Sequence, residues 1–316
     1  MTQQPVCSPG GGTARGEVPD AAEAPFVGRT AERAVFRSAL RGEREAPAVQ
    51  YLHAMSGVGK SALLRRFALD AAGAGRPVFE ADGSRVAAPR ALAAALGNIA
   101  DLTGPVLFVD EVDRCEGLEA WLRECLLPSL SQEAIVVLAG RRCPEPDWTA
   151  DPGWARHART HRLSRLGEDE ADRLLDSLLV PRPLHTAVKS FAAGHPLALR
   201  AAAADARTRA VPAGAEEEWS PAPATTSFLF GRLVGPAPTA LQRRTLAIAA
   251  AARTVTEGHL RAEVGSQAMS AFQWLRTQPY TTPVAGGLRL SEVLVHVVLA
   301  VREREEALRD RNLPYW

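Results

Sequence analysis

The sequence predicts an α/β domain, a parallel five-stranded sheet between two helical layers, followed by a small helical domain and a winged-helix domain. Three observations carry this. Short, continuously apolar runs alternate with helical stretches between residues 25 and 166, as in a sheet covered on both faces. After Leu166 apolar positions recur at helical spacing instead. Beyond residue 225, helices give way to an alternating stretch with a Gly-Gly turn, the signature of a hairpin.

In order, "AVQYLHA" (48–54) reads as the first buried strand, and a helix runs from Lys60 to about residue 72. "RPVFEAD" (76–82) is the second strand, and "PRALAAALGNIA" (89–100) is a helix with Pro89 in its first turn. "PVLFVDE" (105–111) is the third strand, "LEAWLRECLLPSL" a helix, and "AIVVLAG" (134–140) the fourth strand. "HRLSRL" (161–166) is the candidate fifth. Helices are expected over "GEDEADRLLDSLL", "HTAVKSFAAG" and "PLALRAAAADARTRA", the last two split by Gly194–His195–Pro196. The C-terminal part contains "ALQRRTLAIAAAA", "TEGHLRAEV" and "AMSAFQWLRTQ" as helices, then "YTTPVAGGLRLSEV", then a closing helix. These place an α/β domain at 25–166, a helical lid at 167–210, a linker at 211–224, a winged helix at 225–303 and a helix end with tail at 304–316. Residues 1–24, rich in Gly, Pro, Thr and Ala, read as a disordered tail.

The 316 residues are enough for two or three domains with real cores. A net charge of +1 gives no bulk reason to propose a nucleic-acid or membrane surface. Cys7, Cys115, Cys125 and Cys143 lack zinc-ligand spacing and read as reduced thiols of a cytoplasmic protein. No apolar run approaches a membrane span, and the first residues lack the pattern of a signal peptide.

The chemistry concentrates in "AMSGVGKS". Lys60 is one of only two lysines, the other being Lys189; every other basic position is arginine. The segment follows a predicted strand and opens a predicted helix, the setting of a phosphate-binding loop. Gly57 and Gly59 let the backbone curl and turn its N–H groups on an anion. The helix N-terminus adds partial positive charge. A lysine puts a compact ammonium on the β- and γ-phosphates, where arginine's wide planar fork does not fit. The candidate phosphate-binding set is therefore Ser56, Gly57, Val58, Gly59, Lys60, Ser61 and Ala62, with the Ser61 hydroxyl a ligand for Mg²⁺. The pattern begins with Ala54 where glycine is usual.

"VLFVDEVDR" places Asp110 at the carboxyl end of an apolar strand, the edge at which open parallel sheets bind ligands. Asp110 is the second candidate Mg²⁺ ligand, and Glu111 is placed to polarise a water against the γ-phosphate. In "VVLAGRR", Arg141 ends the fourth strand on the same edge and is the candidate γ-phosphate sensor. The catalytic candidates are thus Glu111, Lys60 and Arg141. The basic stretch of His157, Arg159, His161, Arg162 and Arg165 reads as a solvated edge.

With these motifs in order, the chain resembles the STAND class of signal-transduction NTPases, relatives of AAA+ ATPases, over about residues 25–300. "FVGRTAER" resembles the family's opening motif, which implies that Phe26 and Val27 border adenine and that Arg29 approaches the nucleotide. "GHPLAL" is similar to its Gly-x-Pro motif, which implies that Pro196 packs on the base. The resemblance implies ATP or ADP with Mg²⁺ between the α/β domain and lid, and a switch in domain arrangement and assembly with slow hydrolysis. It also implies self-association or a separate sensor or effector protein. Where the family carries a His-Asp pair after the wing, this chain has Ser291 and Glu292, so an ADP-locked resting state does not carry over. The alternative is a DNA-associated AAA+ ATPase of the initiator or transposition-accessory type, reading DNA through the winged helix.

Overall fold

Five parallel strands organise the first half of the chain: β1 (Val49–His53), β2 (Val78–Asp82), β3 (Val106–Asp110), β4 (Ile135–Gly140) and β5 (Ala158–Arg162). The computed structural model describes residues 26–208, 219–235 and 237–311. The predicted tail at 1–24, the last two residues of the predicted lid (209–210) and most of the predicted linker (211–218) lie outside the described residues. The strand order is β2-β3-β4-β1-β5. β1 therefore lies between β4 and β5, with Tyr51 opposite Leu138 on one side and Thr160 on the other. The carboxyl ends of β3, β4 and β1 lie side by side, so everything that follows these strands is gathered at one edge.

Alternation along each strand divides the apolar residues between the two faces. Val106, Phe108, Val137 and Leu52 pack against α1 (Thr30–Leu40) and α2 (Lys60–Gly73). Phe36 of α1 stacks on Phe67 of α2, with ring centroids 4.2 Å apart and planes 8° from parallel. Leu107, Val109, Val136 and Leu138 face the other way, onto α3 (Pro89–Leu96) and the irregular helical segment after β3. That segment runs from α4 (Leu118–Trp121) through a π-turn at Leu122–Leu126 into a 3₁₀ turn at Leu127–Ser129. Sequence periodicity marks it as one helix; Pro128 removes an N–H from the ladder at its end. Two short helices, α5 (Asp147–Ala150) and α6 (Pro152–Ala155), precede β5.

Under the second face lies a polar knot. The buried Glu119 carboxylate accepts from Tyr51 Oη at 2.8 Å, Trp148 Nε1 at 2.9 Å and the Glu145 amide at 3.0 Å. Burial, reinforced by the Glu119 charge, pushes the Tyr51 phenol up, so it stays a donor. Two of the three donors belong to buried side chains, and a buried donor left unpaired costs about 1–3 kcal/mol. Glu119→Ala is accordingly expected to lower unfolding free energy by about 3 kcal/mol in urea titration, with Glu119→Gln losing about half as much.

The fifth strand differs from its sequence expectation. The structure uses Ala158–Arg162 instead of 161–166. β5 is an edge strand paired only with β1, so one side is wet and its residues alternate without an apolar run. Leu163 and Leu166, which made the expected strand look apolar, lie beyond it, buried in two different cores.

The second half is helical: α7 (Glu168–Ser177), α8 (His185–Ala192), α9 (Pro196–Arg207), α10 (Pro223–Leu233), α11 (Ala240–Ala251), α12 (Glu257–Val264) and α13 (Ala268–Arg276). The hairpin β6 (Thr281–Val284) and β7 (Gly287–Leu290) and the long α14 (Glu292–Arg311) close it. Thr239 starts α11 with a reciprocal cap: its hydroxyl accepts from the Gln242 amide, and Gln242 Oε1 accepts from the Thr239 amide. α10 begins inside the expected linker, at a Pro suited to a first turn. One apolar core runs from Leu175 and Leu199 through Leu229 and Leu246 to Leu294 and Val297, joining α7–α9 to the C-terminal helices. No helix among the described residues is long and apolar enough to cross a membrane.

Candidate functional site

A cavity of about 810 Å³ lies at the carboxyl edge of the sheet, between the α/β layer and the helices after Leu166. Every sequence-predicted site residue lines it: Phe26, Val27, Arg29, the run Ser56 to Ala62, Asp110, Glu111, Arg141 and Pro196. Loops following β1, β3 and β4 deliver most of them, because those strands are neighbours. Its wall carries seven arginine or lysine side chains against three carboxylates, an excess suited to a polyanion.

The loop between β1 and α2 has the expected curl. Gly57 and Gly59 stand at φ +80° and +107°, in the half of conformational space that L-residues avoid. The amides of Gly57, Val58 and Gly59 donate to no protein acceptor among the described residues. Lys60 opens α2 and is buried, its ammonium donating to the carbonyls of Ala54 at 2.7 Å and Met55 at 3.2 Å. Burial pushes its pKa down, against the charges of Asp110, Glu111 and Asp113. A buried ammonium held only by two carbonyls, beside free amides, is a cradle that an anion completes.

Glu111 sits at φ +50°, a strained position for a residue with a Cβ. Its carboxylate is engaged by Arg141 Nη2 at 3.0 Å and Arg114 Nε at 3.1 Å. Burial alone raises its pKa, but these two guanidinium groups overcome it and hold the acid below the ordinary range. Asp110 Oδ1 accepts from the Glu111 amide at 2.9 Å, and Ser61 shares its wall of the cavity.

Arg29 is buried at the left-handed N-cap of α1. Its guanidinium donates to the Val58 carbonyl at 2.9 Å and the Ser164 carbonyl at 2.7 Å, fixing the loop to the segment after β5. Pro196 begins α9, and the residues on either side of it bind the loop. The Leu197 amide donates to the Gly57 carbonyl at 3.1 Å. His195 accepts from the Ala198 amide at Nδ1, 3.3 Å away, so Nε2 carries the hydrogen and donates to the Ser56 carbonyl at 2.9 Å.

Burial drives the His195 imidazole down to about 4, the Lys60 charge adding to it and the Ser56 hydrogen bond opposing. Its unfolded value is about 6.5, so between these pH values the unfolded chain binds the extra proton. The contribution of neutral His195 is therefore complete above about pH 6.5 and is lost as pH falls toward 4. The expected loss over that window is about 3 kcal/mol. Urea midpoints measured from pH 7 to 4 are expected to fall more steeply for the wild type than for His195→Gln, which does not titrate.

Sequence reasoning missed His195, which it read only as the variable residue of the Gly-x-Pro turn. It also missed Arg65, Arg114, Arg200 and Arg232, all in the cavity wall. Arg65 follows Ser61, and Arg200 follows Pro196, by four residues, so helical periodicity alone puts each pair on one face. No such signal exists for Arg232, which reaches the cavity from α10.

No family model and no curated protein matches the sequence. Solved structures do match in shape. Two single-substitution variants of RuvB from Thermotoga maritima superpose with a TM-score of 0.51 at 15% identity. The alignments cover 89% and 92% of this chain and 95% and 97% of theirs. The Orc1 protein of Aeropyrum pernix, solved in complex with DNA, gives a TM-score of 0.46 at 17% identity, covering 92% of this chain and 96% of that one. At such identities the likeness extends to architecture alone. The chain has the fold of the AAA+ P-loop NTPases.

Proposed function

We propose that the protein is an ATP-binding switch of the STAND type that hydrolyses ATP slowly. The observation that carries this reading is the pair of hydrogen bonds from α9 to the phosphate loop, His195 to Ser56 and Leu197 to Gly57. The loop that wraps the triphosphate also holds the lid, so a change in loop occupancy is felt at the lid backbone. Such differential contact is what lets a ligand shift a domain equilibrium.

The loop amides and Lys60 bind the β- and γ-phosphates, Lys60 giving up its carbonyl partners for phosphate oxygens. Phe26, Val27 and Pro196 flank the base. Ser61 and Asp110 hold Mg²⁺, whose charge neutralises the phosphates when it is bound. Arg141 turns from Glu111 to the γ-phosphate. That frees Glu111 Oε1 to accept a proton from the attacking water, while Arg114 stays on Oε2. The resting Arg141–Glu111 pair thus keeps the base engaged until a triphosphate competes for the arginine. Ser291 and Glu292 do not line this cavity, which fits a switch without a histidine lock on ADP.

Glu111→Gln is expected to lower ATP turnover at least about a hundredfold while leaving ATP affinity within about threefold. Equal turnover in the two proteins removes Glu111 from the chemistry. The DNA-associated reading is separated by a mobility-shift titration at two salt concentrations. No salt-sensitive retardation is expected, and its appearance favours that reading instead.

A further inference from the structure

A second cavity, of about 820 Å³, opens where the carboxyl ends of β1, β4 and β5 meet the turn between α13 and β6 and the start of α14. It shares Val58 and Arg141 with the nucleotide cavity but otherwise has its own walls. Five arginines line it, Arg141, Arg142, Arg162, Arg165 and Arg276, against a single carboxylate, Glu292. Glu292 is already taken by Arg165, at 2.5 Å. Arg142, Arg162 and Arg276 make no ion pair among the described residues. The remaining wall mixes apolar side chains, Met55, Leu163, Pro279 and Val293, with polar ones such as His53, Ser164 and Gln278. Three hydroxyls on wall residues, Tyr280 Oη, Thr281 Oγ1 and Ser291 Oγ, are buried without a hydrogen-bond partner. Buried hydroxyls are ordinarily satisfied, and three unsatisfied ones in one wall call for an acceptor.

We propose that this cavity is a second ligand site, taking a small organic anion whose phosphate or carboxylate head pairs with Arg142, Arg162 and Arg276 and whose apolar body covers Met55, Leu163 and Val293. Its volume is that of a small-molecule pocket. Planar guanidinium forks are the donors that recognise both kinds of head group. Because Arg141 belongs to both walls and holds Glu111 at 3.0 Å, an anion here also competes with Glu111 for that arginine. The site therefore reads a metabolite and reports it to the carboxylate of the first cavity.

The test is calorimetric titration of the full chain with phenyl phosphate and, separately, benzoate, in the wild type, Lys60→Ala, Arg162→Ala and Arg276→Ala. Arg162 and Arg276 are exposed, so their loss leaves the fold intact, which thermal melts verify. At least one probe is expected to bind at one site per chain, with affinity changed less than twofold by Lys60→Ala. Arg162→Ala and Arg276→Ala are each expected to weaken it about tenfold, the effect of one charge-assisted hydrogen bond. Whichever probe binds tighter identifies the head group. No binding of either probe up to about 10 mM, binding abolished by Lys60→Ala, or arginine variants that bind like the wild type overturns the proposal. Because Lys60→Ala disables only the phosphate loop, failure here leaves the nucleotide reading intact, and failure there leaves this one.

Discussion

Lys60→Ala weakens ATP binding at least about a hundredfold, a loss of about 2.7 kcal/mol, and does so without destabilising the empty protein. The two halves of this expectation have one cause. The Lys60 ammonium is buried, its pKa pushed down by burial, and its hydrogen-bond acceptors among the described residues are the carbonyls of Ala54 and Met55. A buried charge so weakly compensated contributes little to stability or costs it. With a triphosphate bound, the same charge meets a full counter-charge, and one charge-assisted hydrogen bond contributes about 1.5–3 kcal/mol. Urea unfolding of the apo protein is therefore expected to show equal or higher stability in the variant, while ATP titration shows the loss. A variant that loses stability and affinity together makes Lys60 a structural residue.

Gly57→Ala is expected to uncouple the lid, and comparison with Gly59→Ala isolates that effect. Both glycines have positive φ, so either alanine costs about 1–2 kcal/mol in backbone strain. Their surroundings differ. A Cβ on Gly57 falls 2.7 Å from His195 Cε1 and 2.8 Å from Leu197 Cβ, whereas one on Gly59 meets nothing within 4 Å. Gly57→Ala must push α9 away from the loop and break the Leu197–Gly57 hydrogen bond. Faster hydrogen exchange at the Leu197 amide, by about tenfold or more, is expected in Gly57→Ala, with little change in Gly59→Ala. Equal exchange in both variants contradicts the coupling between loop and lid.

The sheet was legible because its three inner strands, β1, β3 and β4, are buried on both faces and so are largely apolar; they begin and end within about two residues of expectation. β5 was displaced by three residues because an edge strand reading Ala-Arg-Thr-His-Arg carries no hydrophobic signal, while the leucines after it do. The loop, Asp110, Glu111 and Arg141 were legible because strand ends in a parallel sheet are fixed by topology, so a motif at a strand's carboxyl end is also a position in space. What stayed hidden is what depends on packing between distant segments. His195 reaches Ser56 across 139 residues of chain, and Arg232 enters from α10, a helix that the sequence expectation did not contain. The apolar core shared by α7–α9 and the C-terminal helices was invisible for the same reason: periodicity shows that a helix has an apolar face, not which helix covers it.

In the proposed switch a curl of backbone amides and one buried ammonium together grip a triphosphate. Equilibrium titration of the full chain with ATP in the presence of Mg²⁺ addresses this without intermediaries. One ATP per chain with a Kd on the order of micromolar is the expected result. Absence of binding up to about 10 mM contradicts it.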